Sequence, residues 1–177
     1  MGKVVQMQEY RDWREAEQAA KGTPVVKVRP AQATDLVHWP FIRAGLASIK
    51  ARQGHRSTWT PEHVRAALVG QGGQAPTAEL WLATIDDKPV AFTITQSLVD
   101  GFLHIANGLF IWFAYSKPEV SGTVRPIMDA YMEQIARERG CSYIEAYTAR
   151  PGLGRALKRH GWVKVLEVLR KPLYEDA

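Results

Sequence analysis

Cysteine is almost missing from this chain: Cys141 is the single one in 177 residues. That excludes an internal disulfide and any cysteine-cluster metal site, and it fits a reducing, cytoplasmic location. Long apolar runs are missing too, so no segment reaches the ~20 residues that a membrane-spanning helix needs. Residues 1–22 lack an apolar core: Lys3, Arg11, Arg14 and Lys21 are interspersed with Glu9, Asp12, Glu15 and Glu17. A signal peptide is therefore not expected. His38, His55, His63 and His160 show no ligand spacing with one another or with acids, so no metal site is expected. No G-x-S-x-G elbow is present for a serine nucleophile, and no repeat or low-complexity segment appears.

What is present is an ordinary globular composition, 46% hydrophobic and 23% charged, in a length that suits one domain with a real core. The net charge is +5 and unevenly spread. Between positions 150 and 171, Arg150, Arg155, Lys158, Arg159, Lys164, Arg170 and Lys171 face Glu167 alone. Such a segment suits a polyanion, either a nucleotide cofactor or a nucleic acid, or is simply a solvated basic face.

Periodicity then divides the chain. Residues 4–20 read as a helix, an extension added to a domain that occupies positions 23–177. Val25 to Pro30 is a short strand ended by proline. Thr34-Asp35 opens a helix carrying Leu36, Val37, Phe41, Ile42, Leu46 and Ile49, with Pro40 confined to its first turn. Thr60-Pro61-Glu62 opens a second one: a capping hydroxyl, proline at the first position, an acid beside the dipole. It stops at Gly70, Gly72 and Gly73.

Glu79 to Ile85 and Val90 to Leu98 alternate around an Asp86-Asp87-Lys88-Pro89 turn, the pattern of a hairpin. The apolar stretch Gly101 to Tyr115 is interrupted by Asn107-Gly108, which is either a second hairpin turn or a bulge in one long strand. Ile127, Met128, Tyr131, Met132, Ile135 and Ala136 mark an amphipathic helix closed at Gly140. Ser142 to Thr148 is a strand, Gly154 to His160 a short helix stopped by Gly161, and Trp162 to Leu169 a last strand.

Three stretches carry a family likeness. Ala136-Arg137-Glu138-Arg139-Gly140-Cys141, Gly154 to Trp162, and Val26 to Asp35 resemble fold landmarks of the GNAT superfamily of acyl-CoA-dependent N-acetyltransferases. The likeness covers roughly residues 25–171. It implies a mixed α/β fold, a central, mostly antiparallel sheet flanked by helices. It also implies acetyl-CoA or another acyl-CoA as cofactor and an amine as acceptor. In the family, backbone N–H groups of an R/Q-x-x-G-x-G/A loop hold the pyrophosphate of coenzyme A.

That loop falls here on Val120-Ser121-Gly122-Thr123-Val124-Arg125, where only one glycine is present. Val120 replaces the usual Arg or Gln, and Thr123 and Arg125 stand where glycines are usual. Ser121, Gly122, Thr123 and Val124 still offer N–H groups. Arg125 either supplies a cation to the phosphates or fills their space. Tyr115, at the end of the preceding apolar stretch, joins these as a cofactor-binding candidate. Leu157 takes the place of the family's frequent proton-donating tyrosine, and Arg150 stands near its usual asparagine.

An amine nucleophile must lose a proton, so a general base is expected. Glu145, between Tyr143 and Tyr147 on one strand face, is the first candidate; its plain alternative is a partly exposed acid paired with Arg150 or Lys164. His104 is the second, or else a hydrogen-bonded rim residue. Trp59, in the loop-like stretch after Ala51, is the candidate aromatic for the acceptor, with Tyr147 beside the base.

The resemblance implies an N-acyltransferase acting on an unknown amine. Two alternatives stay open. One is a GNAT-shaped structural or interaction protein without catalysis, such as a phage virion component. The other is acyl transfer to an amine linked to a nucleic acid, reached through the basic segment 150–171.

Overall fold

The structure is a computed structural model that describes residues 24–53, 58–99, 107–146, 155, 157–158 and 161–163. The expected helix over 4–20 and most of the expected last strand, Trp162–Leu169, lie outside the described residues. The chain divides into two compact units, Met1–Ala146 and Tyr147–Ala177.

In the first unit, strand β1 (Lys27–Pro30) is followed by a 3-10 turn, Ala33–His38, that leads into helix α1 (Trp39–Gln53). Pro40 is the second residue of α1, where no N–H is required of it. Helix α2 (Pro61–Val69) starts as expected at Thr60, whose Oγ1 accepts from the His63 N–H at 3.3 Å while its own N–H donates to His63 Nδ1. Gly70, at φ 77°, closes it.

Strands β2 (Glu79–Ile85) and β3 (Lys88–Val99) form the expected hairpin. Its turn is only Asp86-Asp87, both at positive φ, as a two-residue type I′ turn requires. Lys88 and Pro89 already belong to β3. Strand β4 (Asn107–Ser116) pairs antiparallel with β3 over its whole length. Asn107-Gly108 is thus neither a turn nor a bulge; these two residues begin β4 opposite Val99 and Leu98.

Helix α3 (Ser121–Glu138) returns along the sheet to strand β5 (Tyr143–Ala146), which lies parallel to β4. Gly140 at φ 68°, with Cys141 N–H donating to Ala136 O at 2.8 Å, closes α3 where the sequence places its end. The sheet order among the described residues is β1-β2-β3-β4-β5, antiparallel except for the last pair.

Alternation along the strands creates two apolar layers. Val28, Trp81, Ala83, Ala91 and Leu109 face α3, whose Val124, Met128, Tyr131, Met132, Ile135 and Ala136 are buried against them. Leu82, Phe92, Ile94 and Phe113 face the other way, toward Ile42 and Leu46 of α1 and Val64 of α2. Each large apolar side chain fully buried here contributes about 1.5–3 kcal/mol relative to exposure. No described helix is long and apolar enough to cross a membrane.

In the second unit, Arg155, Leu157 and Lys158 are helical. Gly161, at φ 84°, ends that helix with Trp162 N–H donating to Leu157 O at 3.2 Å, as the sequence implies.

Candidate functional site

The chemistry-bearing candidates of the first unit gather around β4. This strand carries one residue too many. Thr95 pairs with Ile111 and Ile94 with Phe113, so Trp112 is unmatched and forms a β-bulge. Before it, Leu109 and Ile111 pack toward α3; after it, Phe113 and Tyr115 pack toward α1.

Beyond β4, Lys117 N–H donates to Val90 O at 2.9 Å and a 3-10 turn, Pro118–Val120, leads directly into α3. The segment expected as a phosphate-holding loop is therefore mostly the first turn of a helix. Ser121 N–H donates to Pro118 O, and its hydroxyl donates to the same carbonyl at 3.2 Å. Gly122 and Thr123 follow, at positions whose N–H groups have no carbonyl one turn back within the helix. Around Gly122 there is open space: an added Cβ would meet nothing within 4 Å.

Val124 is fully buried beneath α3, so its side chain belongs to the core. Arg125 Nε lies 3.9 Å from Asp129 Oδ2, one turn along, with about two-fifths of its side chain exposed. Pro126 sits inside the helix and withholds the N–H that would meet the carbonyl of Gly122.

Tyr115 is on the opposite face from α3. Its ring stacks on Phe92 at 5.6 Å and meets Phe41 edge-on at 5.9 Å. The bulge is the reason, because one extra residue reverses the facing of everything after it. Tyr115 is thus not brought together with the side chains of the α3 start. Sequence reading had no means of seeing this, since the run Leu109–Phe113 is apolar on both faces.

Glu145 is half-buried on β5, in register with Phe110. Its neighbour Ile144 packs toward α3, so Glu145 faces the α1–α2 side. Trp59 lies on that same side, its ring 4.6 Å from Phe113, with Lys50 Nζ 5.9 Å above it. Glu145 and Trp59 therefore share a face of the sheet. From Phe110 to Ser116 the strand advances about 20 Å, so Glu145 is remote from the start of α3. His104 and Tyr147 lie outside the described residues, as do Arg150 and residues 54–57 of the loop after α1.

A cavity of about 430 Å³ lies at the other end of the sheet, lined by Thr77, Glu79, Thr95, Gln96 and Ser97 among others. It is far from the α3 start and was not foreseen from the sequence. Among the described residues no group of three or more His, Cys, Asp or Glu is placed to hold a metal ion.

No protein-family model matches the chain, and no curated protein matches it in sequence. Solved structures do match in shape. A possible acetyltransferase from Clostridium difficile 630 superposes with TM-score 0.65 at 14% identity, covering 86% of this chain and 98% of that one. The ribosomal-protein-alanine N-acetyltransferase of Brucella melitensis biovar Abortus 2308 gives 0.62 at 18% identity, covering 84% and 99%. An aminoglycoside acetyltransferase from an uncultured soil metagenomic sample, in complex with sisomicin, gives 0.59 at 13%, covering 86% and 97%. The fold is the GNAT fold of these acetyltransferase structures, a likeness of shape at 13–18% sequence identity.

Proposed function

We propose that the protein is an acyl-CoA-dependent N-acyltransferase that moves an acetyl or similar acyl group to an amine. The observation that supports it best is the pairing of two features on one strand: a bulge at Trp112 within it, and a helix start with open space at Gly122 beyond its end. A ligand with phosphates at one end and a reactive group on a long arm fits both places, and acyl-CoA is such a ligand. When bound it supplies an activated acyl carbon.

In this reading the N–H groups of Gly122 and Thr123 bind phosphate oxygens, and Arg125 exchanges Asp129 for a phosphate. Glu145 takes the proton that the acceptor amine loses as its nitrogen bonds to the acyl carbon and the carbon–sulfur bond breaks. The departing thiolate takes a proton from water, because Leu157 has none to give. Trp59 walls the acceptor on the Glu145 side of the sheet.

A second reading has its own support. Thr123 and Arg125 stand where the family has glycines for close phosphate approach, Arg125 is paired with Asp129, and Pro126 has no N–H to offer. These favour a GNAT-shaped interaction protein without turnover. Thermal unfolding with millimolar acetyl-CoA separates the two. A rise in melting temperature supports cofactor binding by mass action, whereas no shift and no turnover with any amine favours the second reading.

A further inference from the structure

We propose that Lys50 sets the charge of the acceptor: the amine acylated here carries a carboxylate, which Lys50 holds at the end away from Glu145. The inference rests on the acyl-transfer reading, with Trp59 as the acceptor's wall and Glu145 at its reacting nitrogen. Lys50 Nζ lies 5.9 Å from the centre of the Trp59 ring. Its side chain is half-buried rather than extended into water. Among the described residues no carboxylate forms a salt bridge with it. Glu62, the one acid in α1 and α2, is taken by Arg43 at 3.9 Å. The negative end of α1 accounts for a cation in its last turn. It does not account for a half-buried ammonium that has lost part of its water and gained no acid.

Trp59 does not have to be uncovered for this. Its ring keeps Phe113, 4.6 Å away, and Lys50 keeps its place over the ring. An ammonium has three N–H donors, more than one contact with a ring uses. Charge then decides the class of acceptor. Arg52, two positions along α1, faces another side of the helix, so Lys50 acts as a single positive charge. One charge matches a carboxylate, whereas a phosphate dianion would be left half-neutralised. A diamine would set its second ammonium against Lys50, which repels it. The acceptor is therefore of amino-acid type, an amine at one end and a carboxylate at the other, and not a polyamine.

The test is ligand-observed NMR titration of the full chain with β-alanine, δ-aminovalerate and ε-aminocaproate, each against its own amide, and with cadaverine. At least one carboxylate should bind ~3–5-fold more tightly than its amide, with cadaverine weakest. Lys50→Gln should remove the preference, and Lys50→Glu should reverse it so that cadaverine binds best. Arg52→Glu makes the same change in net charge and should keep the preference, which separates contact from overall field. Thermal unfolding shows that each variant is folded. No preference for the carboxylate in any pair, or a preference that Lys50→Gln retains, overturns the proposal. Release of thiol from acetyl-CoA with the same probes is read separately. Turnover of an amide or of cadaverine in place of the carboxylates overturns the proposal but not acyl transfer. Lys50-dependent binding of a carboxylate without turnover of any probe overturns acyl transfer and leaves the carboxylate site standing.

Discussion

Arg29 grips Asp35 with both arms of its guanidinium, Nη1 at 2.6 Å from Oδ2 and Nη2 at 2.7 Å from Oδ1. Asp35 also accepts the Gln32 N–H at 2.7 Å, and only 7% of its side chain is exposed. The pair fixes the corner at which β1 turns toward α1. The Arg29 hydrogen bonds hold the Asp35 carboxyl down at about 2, with the Gln32 N–H acting in the same direction and burial opposing both.

A pH dependence follows with a definite sign. Unfolded, Asp35 titrates near ~3.9, so between that value and about 2 the unfolded chain binds the extra proton. Stability from this pair is complete above about pH 4 and is lost as pH falls toward 2. Asp35→Asn should cost ~1–3 kcal/mol at neutral pH and flatten that part of the acid-unfolding profile. Chemical denaturation at pH 7, 4 and 2.5 measures it; an unchanged profile in the variant would reject the assignment.

The buried indole of Trp81 donates from Nε1 to Thr95 Oγ1 at 2.9 Å. Thr95→Val keeps the shape and removes the acceptor, leaving a buried N–H without a partner. The expected loss is ~1–3 kcal/mol. Adding Trp81→Phe removes the orphaned donor as well, so the double variant should be less unstable than the sum of the singles. Additive losses in urea titrations would show that the bond contributes little.

Two glycines predict opposite outcomes. At Gly45 a Cβ would stand 2.5 Å from Phe92 Cε1 and 2.8 Å from Tyr115 Cδ1. Gly45→Ala should therefore destabilise by ~1–3 kcal/mol despite its better helix propensity. Gly122→Ala meets open space and should stabilise by roughly 0.5 kcal/mol in the absence of ligand. The same methyl group would stand where phosphates approach, so the rise in melting temperature with acetyl-CoA should shrink. An undiminished rise would place the cofactor elsewhere.

Glu145→Gln tests the proton acceptor. Removing a general base typically costs ~10²–10⁴-fold in rate. Turnover should fall by that order while the acetyl-CoA-induced shift in melting temperature stays, since Glu145 is remote from the α3 start. Retained turnover would move the role to His104.

Much of this fold was legible because its signals are local. Thr60-Pro61-Glu62, Gly70 and Gly140 act within one turn of chain, and each helix starts or stops where they indicate. The two-faced α3 was equally plain from its spacing. The candidate site was less so, because its parts depend on pairing between distant segments. Nothing in Asn107-Gly108 says that it aligns with Leu98 and Val99, and nothing in Leu109–Phe113 says which residue is supernumerary.

The supernumerary Trp112 makes β4 a strand of mixed parity. Deleting that one residue would restore an even count, and Phe113 and Tyr115 would be handed to the α3 layer. The aromatic stack of Phe41, Phe92 and Tyr115 would lose a member, while the α3 layer would have to admit two large rings it has no room for. Loss of a single surface-loop residue is commonly tolerated; loss of this one rewrites the addresses of the strand's whole second half. Length, at this point in the chain, carries as much information as side-chain chemistry does.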